Sequence, residues 1–254
     1  MTHSDRRFLN IAHRGFSARY PENTLIAFEK ALDEVGVRWI ELDVRLTADG
    51  IPIVLHDASV DRTTDGSGAV GRMTIEEVRR LDAGIHKGAA FKGTQIPTLG
   101  EALDSLKGRA KVVVELKGEG DAFIRAAARA VVSRDLVAEV TFSAFAHENL
   151  KAVAAVVPGA SLNPLGGMKG RSVEQVVDDT LALGAGTLGM VAADATSELA
   201  QAAHDAGLIL RCSGAADDTG PEIRRLISIG ADGLTTNCPD VLMGILREDD
   251  ITPW

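Results

Sequence analysis

The sequence predicts an α/β fold of the (β/α)8 TIM-barrel type, and three observations carry that expectation. Short apolar runs of β character alternate with longer stretches at helical spacing along all 254 residues. The runs that alternate in this way number eight, and the chain has the length of a single barrel. Several runs, early and late, end in charged groups, as strands do when they deliver chemistry at one rim. A doubly wound open sheet has the same periodicity, so only the third observation separates the two.

The elements follow in order. Residues 8–12 form the first apolar run and end in His13-Arg14-Gly15. Residues 22–35 carry Leu25, Ile26, Phe28, Ala31 and Leu32 at helical spacing. Residues 37–40 form the second run and deliver Glu41-Leu42-Asp43. The third, Val112-Val113-Val114, ends in Glu115 with Lys117 beyond. Five more runs end near residues 142, 162, 190, 210 and 235. Ala-rich amphipathic stretches at 121–133, 147–157, 172–183 and 196–206 lie among them. One further run, 51–55, breaks the alternation and follows Asp49-Gly50, a two-residue hairpin signal. Continuing that pairing places Asp43 opposite His56, on one face of the sheet. The Gly-rich stretch from 57 to about 106 reads as an insertion above the barrel's carboxyl face, with one helix near 74–81. Thr74 and Glu77 fit a capping box at that helix start. No linker divides residues 1–254, so one domain is expected.

Composition narrows the function. Hydrophobic residues at 45 % and charged residues at 25 % describe an ordinary globular chain. A formal charge of −9 argues against nucleic acid or an anionic membrane surface as main partner. No apolar stretch is long enough to span a bilayer, and the first ten residues lack the apolar core of a signal peptide. Cys212 and Cys238 fit no metal spacing and read as free thiols in a reducing cytoplasm.

The strand period of two puts Glu41 and Asp43 on one face. Two adjacent carboxylates repel unless a cation or a shared proton lies between them. Glu115 makes three, a charge of about −3 that demands a cation if buried. An all-oxygen donor set suits Mg²⁺ or Ca²⁺, whereas zinc recruits His or Cys. His13, His56, Arg14 and Lys117 then surround the metal with basic and proton-carrying groups, which fits metal-assisted cleavage of a phosphate ester.

At the same residues the chain resembles the glycerophosphodiester phosphodiesterases. The likeness runs through His13-Arg14-Gly15, Pro21-Glu22-Asn23-Thr24, Glu41-Leu42-Asp43-Val44, Leu55-His56-Asp57 and Glu115-Leu116-Lys117. It continues through Asp61-Arg62-Thr63-Thr64, Leu81-Asp82-Ala83-Gly84 and Ile96-Pro97-Thr98-Leu99. This resemblance implies a TIM-barrel enzyme that splits glycerophosphodiesters into glycerol 3-phosphate and an alcohol. It implies Glu41, Asp43 and Glu115 as metal ligands, His13 and His56 as the acid–base pair, and Arg14 and Lys117 on the phosphoryl oxygens. It also allows attack by the substrate's own neighbouring hydroxyl, through a cyclic phosphate.

The second half departs from the pattern. Many members carry Trp-Thr where this chain has Arg211-Cys212-Ser213-Gly214, and an Asp and an aromatic where it has Asn237 and Cys238. Arg211 is expected as a replacement anion contact. Glu22 and Asn23 are expected to cap the following helix. Asp57 reads equally as a turn residue or a further ligand. Phe16, Phe91 and Phe145 are candidates for a pocket wall. The rival readings are a related phosphodiesterase acting on a lysophospholipid or a sugar phosphodiester, and a non-catalytic phosphodiester-binding protein. An acid–base pair at His13 and His56 argues against the last.

Overall fold

The computed structural model of the chain describes residues 7–214 and 220–254. Eight parallel strands form a closed barrel: β1 (Arg7–His13), β2 (Trp39–Leu46), β4 (Lys111–Leu116), β5 (Val140–Ala144), β6 (Ser161–Gly166), β7 (Thr187–Val191), β8 (Ile209–Ser213) and β9 (Gly233–Thr236). β1 pairs with β2 on one side and β9 on the other, which closes the ring and excludes an open sheet. β3 (Pro52–Val54) lies antiparallel along β2, and β10 (Thr252–Pro253) adds to β1.

Strand alternation sorts the side chains. Ile40, Leu42 and Val44 of β2 and Val112, Val114 and Leu116 of β4 face outward into the layer between barrel and helices. The intervening Glu41, Asp43, Val113 and Glu115 face inward. The helices α1 (Leu25–Lys30), α2 (Ile75–Val78), α3 (Leu99–Leu106), α4 (Asp121–Val132), α5 (His147–Val156), α6 (Val173–Ala182), α7 (Ser197–Asp205), α8 (Gly220–Ser228) and α9 (Pro239–Glu248) complete the chain. Capping boxes start α2 (Thr74 with Glu77), α3 (Thr98 with Glu101) and α6 (Ser172 with Gln175). None of the described helices is long and apolar enough to cross a membrane.

Three sequence expectations need correction. The β2–β3 hairpin is one residue out of the expected register: Val44 faces Val54 and Leu46 faces Pro52, so Asp43 lies against Leu55 rather than His56. The loop has three residues, with Gly50 at φ 81°, and Thr47 closes it. Thr47 Oγ1 accepts from Ile51 N at 2.9 Å and donates to Asp49 Oδ1 at 2.6 Å, which favours the longer turn. Residues 99–106, counted with the insertion, form α3, and Leu99, Ala102, Leu103 and Leu106 pack into the main barrel core. The expected helix at 22–35 begins only at Leu25, capped by Thr24, and widens into a π-helical turn over Ala31–Val35.

Residues 57–98 pack with Ile53 and Leu55 of the hairpin in a second, small core around Val60, Val70, Val78, Ala83 and Ile96. The segment is tied to the β1–α1 loop at the carboxyl rim. Lys87 Nζ donates to Ser17 O at 2.6 Å, and the Tyr20 and Phe91 rings meet edge-on at 5.7 Å.

Candidate active site

The inward alternation of β2 and β4 brings Glu41, Asp43 and Glu115 together, with one oxygen of each within 4.8 Å of the others. They are 1 %, 0 % and 7 % exposed. Burial, and then the neighbouring carboxylates, push the acid of Glu41 well above its ordinary range; Glu115 is raised by burial and by Asp43. Glu41 Oε1 and Asp43 Oδ1 have no hydrogen-bond partner. Buried, mutually repelling carboxylates that offer an all-oxygen donor set fit a hard divalent cation.

Basic groups converge on the same point. Lys117, past the end of β4, places Nζ 2.5 Å from Glu115 Oε1 and 3.4 Å from Asp43 Oδ1. Its ammonium also lies 5.9 Å from the centre of the Phe145 ring, which is 53 % exposed at the rim. Arg14 sits at φ 57°, a turn that Gly15 at φ 79° completes. That turn aims Arg14 N at Glu41 Oε2 (3.0 Å), Nε at Asp43 Oδ2 (3.0 Å) and Nη1 at Glu22 Oε1 (2.9 Å). Gly15 is required here, since a Cβ would stand 2.6 Å from the Ala27 carbonyl carbon.

His13 ends β1 with Nε2 3.9 Å from Glu41 Oε2. Its Nδ1 donates to Asn237 Oδ1 at 2.7 Å, which leaves Nε2 as the unprotonated nitrogen of the neutral ring. Burial, and then the Arg14 charge, lower its pKa to about 4. His13, Arg14, Ser17, Glu22, Asn237 and Cys238 line an open cleft of about 730 Å³ at this rim.

His56 reaches the rim by a different route from the one its sequence position suggests. Arg45 of β2 holds its loop, donating from Nε to His56 O and from Nη1 to Lys117 O at 2.8 and 2.9 Å. His56 Nδ1 donates to Asp57 Oδ1 at 2.6 Å. Asp57 Oδ2 accepts from Arg62 Nε, and Arg62 is bound to Glu22, which holds Arg14. A continuous polar chain thus joins His56 to Asp43. Hydrogen bonding to Arg62 holds the Asp57 carboxyl well below its ordinary range.

The remaining sequence candidates divide. Asn23 does not cap α1; Thr24 does. At φ 59°, Asn23 instead donates from Nδ2 to Asp43 Oδ2 (2.8 Å) and accepts from Asp43 N (3.2 Å), fixing that carboxylate's orientation. Glu22 binds two arginines and caps nothing. Arg211 does not reach the mouth as an anion contact. It is 3 % exposed inside the barrel, where burial lowers its pKa and its charge faces Glu41 and Glu115. Phe16 is buried in the core. Two partners escaped sequence reasoning. The bond from Asn237 to His13 spans 224 residues, and Arg45 gave no signal beyond its place in a strand.

The chain is similar to known proteins over nearly its whole length. The sequence profile of the Glycerophosphoryl diester phosphodiesterase family matches residues 13–241. A glycerophosphodiester phosphodiesterase of Caldanaerobacter subterraneus subsp. tengcongensis is 34 % identical over 94 % of this chain and 98 % of that one. An Oleispira antarctica phosphodiesterase, solved with the product sn-glycerol-3-phosphate, superposes with a TM-score of 0.85 at 27 % identity, covering 96 % of this chain and 98 % of that one. A glycerophosphodiester phosphodiesterase of Agrobacterium tumefaciens str. C58 gives 0.79 at 30 % identity, over 92 % and 98 % of the two chains.

Proposed function

From the premise that this chain belongs to the glycerophosphoryl diester phosphodiesterase family, we propose that it hydrolyses glycerophosphodiesters to glycerol 3-phosphate and an alcohol, using a divalent cation and two histidines. The observation that carries the reading is the buried triad Glu41, Asp43 and Glu115, set between His13 and Lys117 at the open rim of the barrel. Mg²⁺ or Ca²⁺ held by the triad would supply Lewis-acid polarisation of a phosphoryl oxygen. Arg14 and Lys117 add positive charge beside that position and offset the negative charge that develops on the phosphoryl group.

His13 is the proton acceptor in this scheme. Asn237 keeps its proton on Nδ1, and with a pKa near 4 the ring is neutral at pH 7, so Nε2 can take the proton of the neighbouring glycerol hydroxyl as its oxygen bonds to phosphorus and the alcohol leaves; water then opens the cyclic phosphate to glycerol 3-phosphate. His56 is the donor to the leaving alcohol, its ring oriented by Asp57 through Nδ1 and its Nε2 left to carry the proton. A cytoplasmic location accords with Cys212 and Cys238 forming no disulfide.

The test is release of glycerol 3-phosphate from glycerophosphocholine, glycerophosphoethanolamine and glycerophosphoglycerol, with lysophospholipids alongside. Each is assayed with Mg²⁺, with Ca²⁺ and with chelator. Turnover of the glycerophosphodiesters that chelation abolishes and metal restores is the expected result. Turnover indifferent to chelator would remove the metal from the mechanism, and release only from lysophospholipids would replace the substrate class.

A further inference from the structure

A second cavity, of about 390 Å³, opens at the opposite end of the barrel from the triad. Trp39, Lys111, Ser161, Thr187 and Ile209, each the first residue of its strand, line its mouth. Leu9, Ile11 and Val113 form an apolar wall within. The size is that of a small-molecule site.

Its charge is one-sided. Lys111 stands over the Trp39 ring at 5.3 Å, and Arg211 closes the inner end. None of the described residues lining the cavity is acidic. Arg211 is 3 % exposed, and its Nε has no hydrogen-bond partner. Its register partners on the two flanking strands are Gly189 and Gly233. Among carboxylates, Glu41 and Glu115 attract it from the triad side. A buried guanidinium in the cavity wall, with its Nε unpaired, suits a planar or tetrahedral acidic group.

We propose that this cavity binds a small amphipathic monoanion, with its acidic head on Arg211 and its apolar body against Ile11, Val113 and the Trp39 indole. Lys111 at the rim favours the entry of negative charge. The site is separate from the phosphodiester cleft and faces the other end of the barrel.

The chain has two tryptophans, Trp39 and Trp254, and both line this cavity, so their emission reports its occupancy. The full chain is titrated with octanoate and, separately, with octan-1-ol, which shares the tail and lacks the charge. The expected result is a saturable change in emission with octanoate, half-complete at a concentration at least about tenfold below that for octan-1-ol, as one charge-assisted hydrogen bond provides. Arg211→Met should erase that difference. Gly186→Leu is the second variant, because Gly186 lines the cavity and a Cβ there meets nothing within 4 Å. It should fold normally and weaken octanoate by about tenfold or more through lost space. Equal affinity for octanoate and octan-1-ol, no saturable change, or full octanoate binding by Gly186→Leu would each overturn the proposal.

Discussion

Asn237 Oδ1 accepts two hydrogen bonds, from His13 Nδ1 at 2.7 Å and from Ser17 Oγ at 2.9 Å. The acceptor belongs to the loop after the last barrel strand and the imidazole to the end of the first, so the two seal the barrel's seam at the reacting end. An amide oxygen holds the ring in one tautomer without adding charge beside Glu41. Asn237→Ala should therefore lower kcat by about 10- to 100-fold, the usual range for a lost orienting contact to a general base, and leave KM and metal affinity near their starting values. Ser17→Ala should change kcat far less, since His13 keeps its acceptor. Kinetics on both variants, with metal affinity by calorimetry, check this. A rise in KM alone would place Asn237 in substrate binding.

The triad makes a paired prediction about stability. Ionising Glu41 beside Asp43 and Glu115 is opposed by burial and by like charge. Glu41→Gln removes one of those charges, so the chelated variant should melt higher than the chelated parent, by about 1 kcal/mol or more of stability. Adding Mg²⁺ or Ca²⁺ should raise the parent's Tm, through about 2.7 kcal/mol of added stability at one hundred times Kd, and leave the variant's Tm nearly unchanged. Thermal melts with chelator and with metal read both effects. A Glu41→Gln protein that still gains stability from metal would shift the site elsewhere.

Gly15 tests the turn that aims Arg14. A methyl group there meets the Ala27 carbonyl carbon at 2.6 Å and oxygen at 2.7 Å, both backbone atoms of α1. It also penalises φ 79°. Gly15→Ala should cost about 2–3 kcal/mol in stability. It should also lower kcat by displacing His13 and Arg14 together. Urea unfolding and kinetics measure the two effects; Gly36→Ala, also at positive φ but with open space around its Cβ, should cost less stability and spare kcat.

The legible parts of the sequence were those where one local pattern has one outcome. Each barrel strand was visible because an apolar run facing helices on one side and the barrel interior on the other has no alternative partner. The triad was visible because inward positions of a strand rarely carry charge without a task. The hairpin register was not, because Asp49-Gly50 serves a two-residue turn and a three-residue turn equally. What favours the longer one is the Thr47 hydroxyl, a side-chain contact with no pattern of its own. Asn23 was misassigned for a similar reason. Thr24 competes for the same cap, and the left-handed backbone that turns Asn23 onto Asp43 is set by the fold around it. Arg211 carries its charge at an inward position like Glu41, yet sequence offers no means to tell the mouth of a barrel from its interior.

Glu22 predicts how the site responds to acid. Burial opposes its ionisation, but hydrogen bonds and charge from Arg62 and Arg14 overcome this and hold its pKa at about 2, against 4.5 for the free side chain. A carboxyl with a depressed folded-state pKa stabilises the fold above its unfolded pKa. That contribution fades as pH falls from 4.5 towards 2. Stability in that window should therefore drop less steeply in Glu22→Gln than in the parent. The same variant should be less stable at pH 7, because two arginines lose a shared partner. Urea melts at several pH values decide it, and parallel acid slopes for the two proteins would contradict the assignment.

His56 and Asp57 make a prediction about coupling. His56→Ala should lower kcat by about 10² or more through loss of the proposed proton donor. Asp57 Oδ1 accepts from His56 Nδ1 at 2.6 Å, while Oδ2 is bound to Arg62, so Asp57 touches the reaction only through the ring it orients. Asp57→Asn keeps the shape and can still accept from Nδ1, yet loses the full charge on both bonds; a fall in kcat of roughly tenfold is expected. Because the aspartate acts through the histidine, the two losses should not add. The double variant His56→Ala with Asp57→Asn should turn over no more slowly than His56→Ala alone, within about a factor of two. Losses that multiply would mean that Asp57 works by a route of its own, through Arg62 and Glu22 onto Arg14. In that case Arg62→Met, which cuts the route without touching His56, should reproduce the Asp57→Asn loss in full.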